Sequence, residues 1–135
     1  VPLLEQVLEQ NPESVKIVFK NFPLNNHKEA GPAALAALAA GQQGKFWEYH
    51  DKLFAEKKIE KRDFDRIATE LGLDLQRFKK DMKSPKLQRQ LRADMAEARE
   101  NGVSGTPTVF VNGRKLKQRS LQGFQKQIDA ELRGL

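Results

Sequence analysis

Thiol chemistry is excluded at the outset, because the 135-residue chain contains no cysteine. It can offer no thiolate nucleophile, no disulfide and no thiolate metal site, and the usual clue to redox compartment is missing too. Histidine, the side chain most often used as a general acid or base, occurs twice, as His27 and His50. Two imidazoles fall short of the three or four convergent ligands of a zinc site, so no metal is expected. His50 precedes Asp51 on a segment whose apolar face includes Phe46 and Leu53, and a partly buried, hydrogen-bonded histidine is the expectation there; His27 falls in a polar loop with no assignable duty. No Ser, His and Asp set stands out beyond chance composition, and the glycines form neither G-x-G-x-x-G nor a P-loop. Hydrolase and nucleotide-enzyme readings are therefore unsupported. The net charge of +6 raises the question of an acidic partner. Lys79, Lys80, Lys83, Lys86, Arg89 and Arg92 recur at helical spacing, but Asp81 and Asp94 interrupt them and Glu97 and Glu100 follow. A solvated helix face is expected, and Trp47 and Tyr49 are too sparse for a base-stacking platform, so nucleic acid is not an expected partner. One candidate remains, Thr106-Pro107, where spacing alone reads Pro107 as the start of a strand.

The hydrophobic pattern lays out the elements that would hold these residues. The length suits one domain over residues 1–135. No apolar run approaches the ~20 residues of a membrane span, and the weakly polar stretch 30–41 is mostly alanine, so a soluble chain without a membrane partner is expected. The opening VPLLEQVLEQ is already amphipathic, with no charged leader ahead of an apolar block, so no targeting sequence is expected within these residues. Leu3, Leu4, Val7 and Leu8 share one stripe of a helix over residues 2–10, ended by the turn signal Asn11-Pro12. Val15, Ile17 and Phe19 alternate with Lys16 and Lys20 while Val18 fills the other face, predicting a strand over residues 15–22, covered on both sides and ending near Pro23. From about 29 to 101 the apolar period is that of helices: Leu35 and Leu38 among alanines; Phe46, Tyr49, His50 and Leu53; Phe64, Ile67, Ala68 and Leu71; Leu75, Phe78 and Met82. Ser84-Pro85 reads as an N-cap and first helical position ahead of Leu87, Leu91, Met95 and Ala98, with Asn101-Gly102 as the stop. Strands are predicted over 108–111 and 115–117, joined at Asn112-Gly113, and Leu121, Phe124, Ile128 and Leu132 mark a closing helix against the sheet.

Val103 to Gly113, VSGTPTVFVNG, resembles the cis-proline loop and hairpin of the DsbA family of thioredoxin-fold thiol-disulfide oxidoreductases. FKNFPL, from Phe19 to Leu24, is similar to the end of that family's second strand, GQQGKFWEYHDKLF to a stretch of its helical insertion, and Pro2 to Leu8 to the later part of its active-site helix. The likeness runs nearly end to end. It implies an α/β, thioredoxin-like fold of the DsbA type with a helical insertion over about 29–101. It also implies a cis Thr106-Pro107 bond at which the backbone before the proline pairs with an extended protein or peptide substrate, and a periplasmic or secreted location. In the family a Cys-x-x-Cys pair lies just upstream of the residues resembling Pro2 to Leu8, where a helix N-terminus lowers the first thiol's pKa. That motif is absent here, as is the first, central strand of the sheet.

Without the cysteines the chain as given is expected to carry no catalytic residue and not to catalyse thiol exchange. Two explanations compete, a fragment of an oxidoreductase and a natural relative that has become a redox-dead peptide- or protein-binding module; the fragment is favoured because a start in mid-helix without Met is unusual. Loss of a central strand leaves two rows of backbone groups unpaired, each costing about 1–3 kcal/mol if buried. A strand-exchanged or edge-paired homodimer, or closure of the gap by the flanking strands, is the expected remedy.

Overall fold

Short side chains set the packing of the longest continuous part of the chain. The structure, a computed structural model, describes residues 2–23 and 28–134. Leu24, with the end of the FKNFPL match, and His27 lie outside the described residues. The chain divides into two compact units, one formed by Lys20–Ser104 and the other by Val1–Phe19 with Gly105–Leu135.

Among the described residues the continuous unit holds five helices: α2 Ala30–Gly41, α3 Phe46–Ala55, α4 Lys61–Glu70, α5 Leu75–Met82 and α6 Pro85–Glu100, α1 being the helix Pro2–Gln10 of the other unit. Alanine is the best helix former and carries the smallest side chain that still packs. Ala36, Ala37, Ala39 and Ala40 are buried, which lets neighbouring helices approach α2 closely, and Tyr49, Phe64, Ile67, Phe78 and Leu87 complete the core. The stripes read from the sequence are therefore buried or half-buried, with Leu35, Phe46, Leu71, Leu75, Met82, Met95 and Ala98 half-buried. Helices α4 and α6 stop in the same way. Gly72 (φ 72°) and Gly102 (φ 75°) take the left-handed conformation, and the next residue's N–H returns to the preceding turn, Leu73 to the Ala68 carbonyl at 3.0 Å and Val103 to Ala98 at 2.9 Å. Glycine reaches that conformation without a Cβ penalty. Ser84 stands at the N-cap of α6 with proline at the helix start, as expected, but its side chain makes no capping bond.

An ion network covers α4. Arg66 joins Glu56, Asp63 at 3.1 Å and Glu70 at 2.8 Å, and Lys52 reaches Glu70 at 3.1 Å. The Glu60 N–H, donated to Asp63 at 2.8 Å, and then the Arg66 guanidinium hold the Asp63 carboxyl below its ordinary value; Arg66 followed by Lys52 does the same for Glu70. A carboxyl with a depressed folded pKa binds fewer protons than its unfolded counterpart. Its contribution is present above the unfolded value, about 4, and is lost as pH falls through the folded one. The stability difference between the native chain and Arg66→Gln should thus be widest at neutral pH and close on acidification. Urea titrations at a series of pH values check this, and a pH-independent difference would refute it.

The other unit is built from the two ends of the described chain: α1, a hairpin of β1 Phe110–Val111 and β2 Arg114–Lys115, and α7 Leu121–Arg133. Asn112 (φ 48°) and Gly113 (φ 80°) form the turn, both with positive φ as a two-residue type I′ connection requires. Phe110 pairs with Lys115 and Val111 with Arg114, and the Leu116 N–H extends the pairing to the Val109 carbonyl at 2.8 Å. The predicted second strand, 115–117, is thereby corrected. A two-residue turn brings Arg114 into the ladder, and the Lys117 N–H leaves it to donate to Gln127 Oε1 at 2.9 Å. Val7, Leu116, Phe124 and Ile128 form the core, with Val15, Val109 and Val111 packed against it. Asn11 and Gln125 exchange amide hydrogen bonds at 2.8 and 3.0 Å, and Asn11 also donates to the Val7 carbonyl at 2.9 Å.

The strand predicted over residues 15–22 does not form. Among the described residues the only sheet is the two-stranded hairpin, and Val18 is 61% exposed, so this segment is not covered on both sides. Alternating hydrophobicity needs a neighbouring strand to become a ladder, and no described segment supplies one. Val15 and Ile17 remain half-buried while Phe19 is exposed.

Candidate functional site

The loop before β1 carries the candidate site. The Thr106-Pro107 peptide bond is cis, and both residues are exposed. The loop is held from both sides: Thr108 Oγ1 donates to the Gly105 carbonyl at 2.7 Å, and Arg119 Nη1 lies 3.5 Å from the Pro107 carbonyl. Between these ties, neither the N–H nor the C=O of Thr106 makes a hydrogen bond among the described residues. Every residue but proline brings one backbone donor and one acceptor, and here both belong to an exposed residue and have no partner among the described residues. A group of this kind can pair with an extended chain by main-chain hydrogen bonds alone.

His50 and its aromatic neighbours lie elsewhere, on α3. The imidazole is buried, with Nδ1 3.3 Å from Asp51 Oδ1. Its ring is 4.4 Å from that of Phe54 and 5.3 Å from that of Trp47. Among the described residues no three His, Asp or Glu side chains converge to hold a metal ion. The cations Lys79, Lys80, Lys83, Lys86, Arg89 and Arg92 are all exposed, and Lys79 is paired with Asp65 at 3.5 Å.

Asp94 differs from its sequence reading. It is buried rather than an interruption of a solvated basic face, and its Oδ2 accepts from the Asn21 backbone N–H at 3.2 Å and from Asn21 Nδ2 at 3.4 Å. The signal was available, since Asp94 lies seven residues after Leu87 and three after Leu91, on the stripe that also carries Ala98. Reading the run for charge alone hid it.

A hairpin and flanking helix preceded by a Thr-Pro loop, with a helical unit ahead of them in sequence, are parts of a thioredoxin-like fold of the DsbA type, whose first central strand is not among the described residues. The comparisons with known proteins agree. A family model described as thioredoxin matches residues 2–130, and the chain belongs to that family. The structure is similar to a thioredoxin-like oxidoreductase from Silicibacter pomeroyi, with a TM-score of 0.87 and 28% identity, covering 98% of this chain and 76% of that one. The thiol-disulfide exchange protein alpha-DsbA2 of Wolbachia pipientis shares the fold at a TM-score of 0.77 and 20% identity, over 94% of this chain and 72% of that one. In sequence the chain is 42% identical over 104 residues to part of the Na(+)/H(+) antiporter NhaA 3 of Salinispora tropica, covering 76% of this chain but only 16% of the antiporter. It is 31% identical over 130 residues to a probable disulfide bond formation protein D of Bacillus anthracis, covering 88% of this chain and 58% of that protein. The chain therefore spans a small part of the antiporters and little more than half of the Bacillus protein.

Proposed function

We propose that these residues are the scaffold and peptide-contact portion of a thiol-disulfide oxidoreductase acting on extended protein segments, with Thr106 and Pro107 as the substrate-binding residues. The N–H and C=O of exposed Thr106, without a partner among the described residues and held in a loop fixed by Thr108 and Arg119, carry this reading. Thiol-disulfide exchange proceeds through a mixed disulfide with the substrate and needs no cofactor. A chain without cysteine contributes the binding half of that reaction and not the exchange. A periplasmic or secreted location belongs to the same reading, as does a homodimer in which the open edge of the hairpin pairs with a second copy.

One observation favours a second reading, a redox-dead peptide- or protein-binding module. Sequence relatives at 37–42% identity are short parts, 16–17%, of proteins named as Na(+)/H(+) antiporters. The encoding gene separates the two: a Cys-x-x-Cys just ahead of Val1 supports the oxidoreductase, and its absence the binding module.

The oxidoreductase reading places a peptide at this loop, and the binding module holds its partner there or on the basic residues from Lys79 to Arg92; amide NMR tells the two surfaces apart. Titration with an extended, cysteine-free peptide is expected to move the resonances of Thr106 and Thr108 first, while the chain alone shows no disulfide reductase activity. A titration that leaves this loop unmoved would overturn the assignment. Light scattering on the same samples checks the dimer, which a strict monomer at NMR concentration would remove.

A further inference from the structure

The sequence that carries the candidate loop is one-sided in charge. From Asn101 to Ile128 the sequence contains no Asp or Glu, while Arg114, Lys115, Lys117, Arg119 and Lys126 all fall within it. The structure offsets little of this. Arg114 pairs with Glu131 at 3.3 Å, whereas Lys115, Lys117 and Arg119 are exposed and none of them has a carboxylate within ion-pair distance among the described residues. Their placement follows from the hairpin. Phe110 stands opposite Lys115, both exposed, Leu116 beside Lys115 is buried, and Lys117 follows where the chain leaves the ladder. Arg119 then reaches the Pro107 carbonyl itself. Three cations without a carboxylate partner thus lie on the arm that follows the turn, and Arg119 brings that arm to the loop whose Thr106 backbone has no partner among the described residues.

We propose that this surface selects acidic segments: an extended peptide bearing Asp or Glu, held by backbone pairing at Thr106, with Arg119, Lys117 and Lys115 as its specificity-determining residues. The inference rests on the peptide site proposed above and adds the chemical class of what it takes. Main-chain pairing is indifferent to side chains, so affinity comes from the backbone and choice from the flanking charge. Opposite charge at this margin favours acidic segments and disfavours basic ones, and the preference should weaken as salt screens exposed groups.

The test titrates the whole chain with two synthetic peptides of equal length and equal apolar content, one carrying glutamates and the other glutamines, and reads the amides of Thr106 and Thr108. The glutamate peptide is expected to bind at least ~5-fold more tightly at low salt. The advantage should shrink with added sodium chloride and be largely lost in Lys115→Gln/Lys117→Gln/Arg119→Gln. All three side chains are exposed, and circular dichroism verifies that the variant folds. Equal binding of the two peptides at this loop would overturn the acidic preference while leaving the peptide site standing. An acidic peptide that moves the amides of α5 and α6 instead would overturn it as well. If neither peptide binds, the site itself falls, and the preference with it. A thymidine oligomer of equal charge that matched the glutamate peptide would reduce the surface to a general anion binder and overturn its selection of protein segments.

Discussion

Replacing Tyr49 by alanine is expected to cost about 3–5 kcal/mol of stability, the usual loss for truncating a buried aromatic side chain. The ring is 0% exposed, its centroid 5.6 Å from that of Phe78, and its hydroxyl donates to the Phe64 carbonyl at 2.9 Å. It therefore ties α3 to α4 and α5 at once. Burial, and after it the nearby Asp65 carboxylate, push the Tyr49 hydroxyl well above the ordinary phenol value, so it stays a donor throughout the working pH range. Tyr49→Phe separates the two contributions. It keeps the packing and removes the hydrogen bond, for an expected loss of about 1 kcal/mol, because the Phe64 carbonyl lies within α4 and keeps its helical partner. Whole domains are stable by only about 5–15 kcal/mol, so the alanine variant loses a large share of the total. Urea denaturation of both variants measures it, and equal losses would mean that the hydroxyl and not the ring is what matters.

Gly123→Ala is the second large effect, and its sign opposes helix propensity. An alanine in mid-helix ordinarily gains about 0.5–1 kcal/mol over glycine. A Cβ on Gly123 would instead stand 2.1 Å from the Gln118 carbonyl oxygen and 2.9 Å from its carbonyl carbon. The obstacle is backbone, and two bonds hold it there: Ser120 Oγ accepts the Gly123 N–H at 3.0 Å, and Gln127 accepts the Lys117 N–H. Overpacking of this kind costs about 1–3 kcal/mol or more, and thermal melts should show the variant less stable. Gly31→Ala is the control, since Gly31 lies in α2 with nothing within 4 Å of its added Cβ. It should stabilise the chain. A stabilised Gly123→Ala would show that residues 116–118 move aside freely.

These two positions also mark where sequence reading succeeds and stops. Tyr49 was placed on an inward stripe because helical packing is written into the chain at intervals of three and four residues, and the five helices of the continuous unit follow from the same rule. The Asn112-Gly113 turn is equally local, since two residues with positive φ determine it. Gly123 gave only the weak signal of a glycine inside a helical pattern, because what it accommodates is a carbonyl five residues away that arrives by tertiary folding. Residues 15–22 failed for the converse reason. Their alternation is genuine, but a strand is a relation between two segments, and the second segment is not among the described residues. Asp94 was visible by position and obscured by its charge. At the candidate site the residue types pointed to Thr106 and Pro107 only through family resemblance; the open backbone of Thr106 and the reach of Arg119 to the Pro107 carbonyl are facts of conformation that no spacing encodes.

The reciprocal amide pair between Asn11 and Gln125 joins positions 114 apart in sequence, and that separation orders events during synthesis. The helices of Lys20–Ser104 can pack as soon as they leave the ribosome, since each finds its partners within one stretch of chain. Helix α1 emerges before them, and α7, the helix it packs against among the described residues, is translated only after them. Entropy makes that wait tolerable, because the cost of closing a loop rises only with the logarithm of its length, and the intervening residues are already compact when the ends meet. Until then the apolar stripe of α1 lacks its described partner helix, so an element made early is protected late.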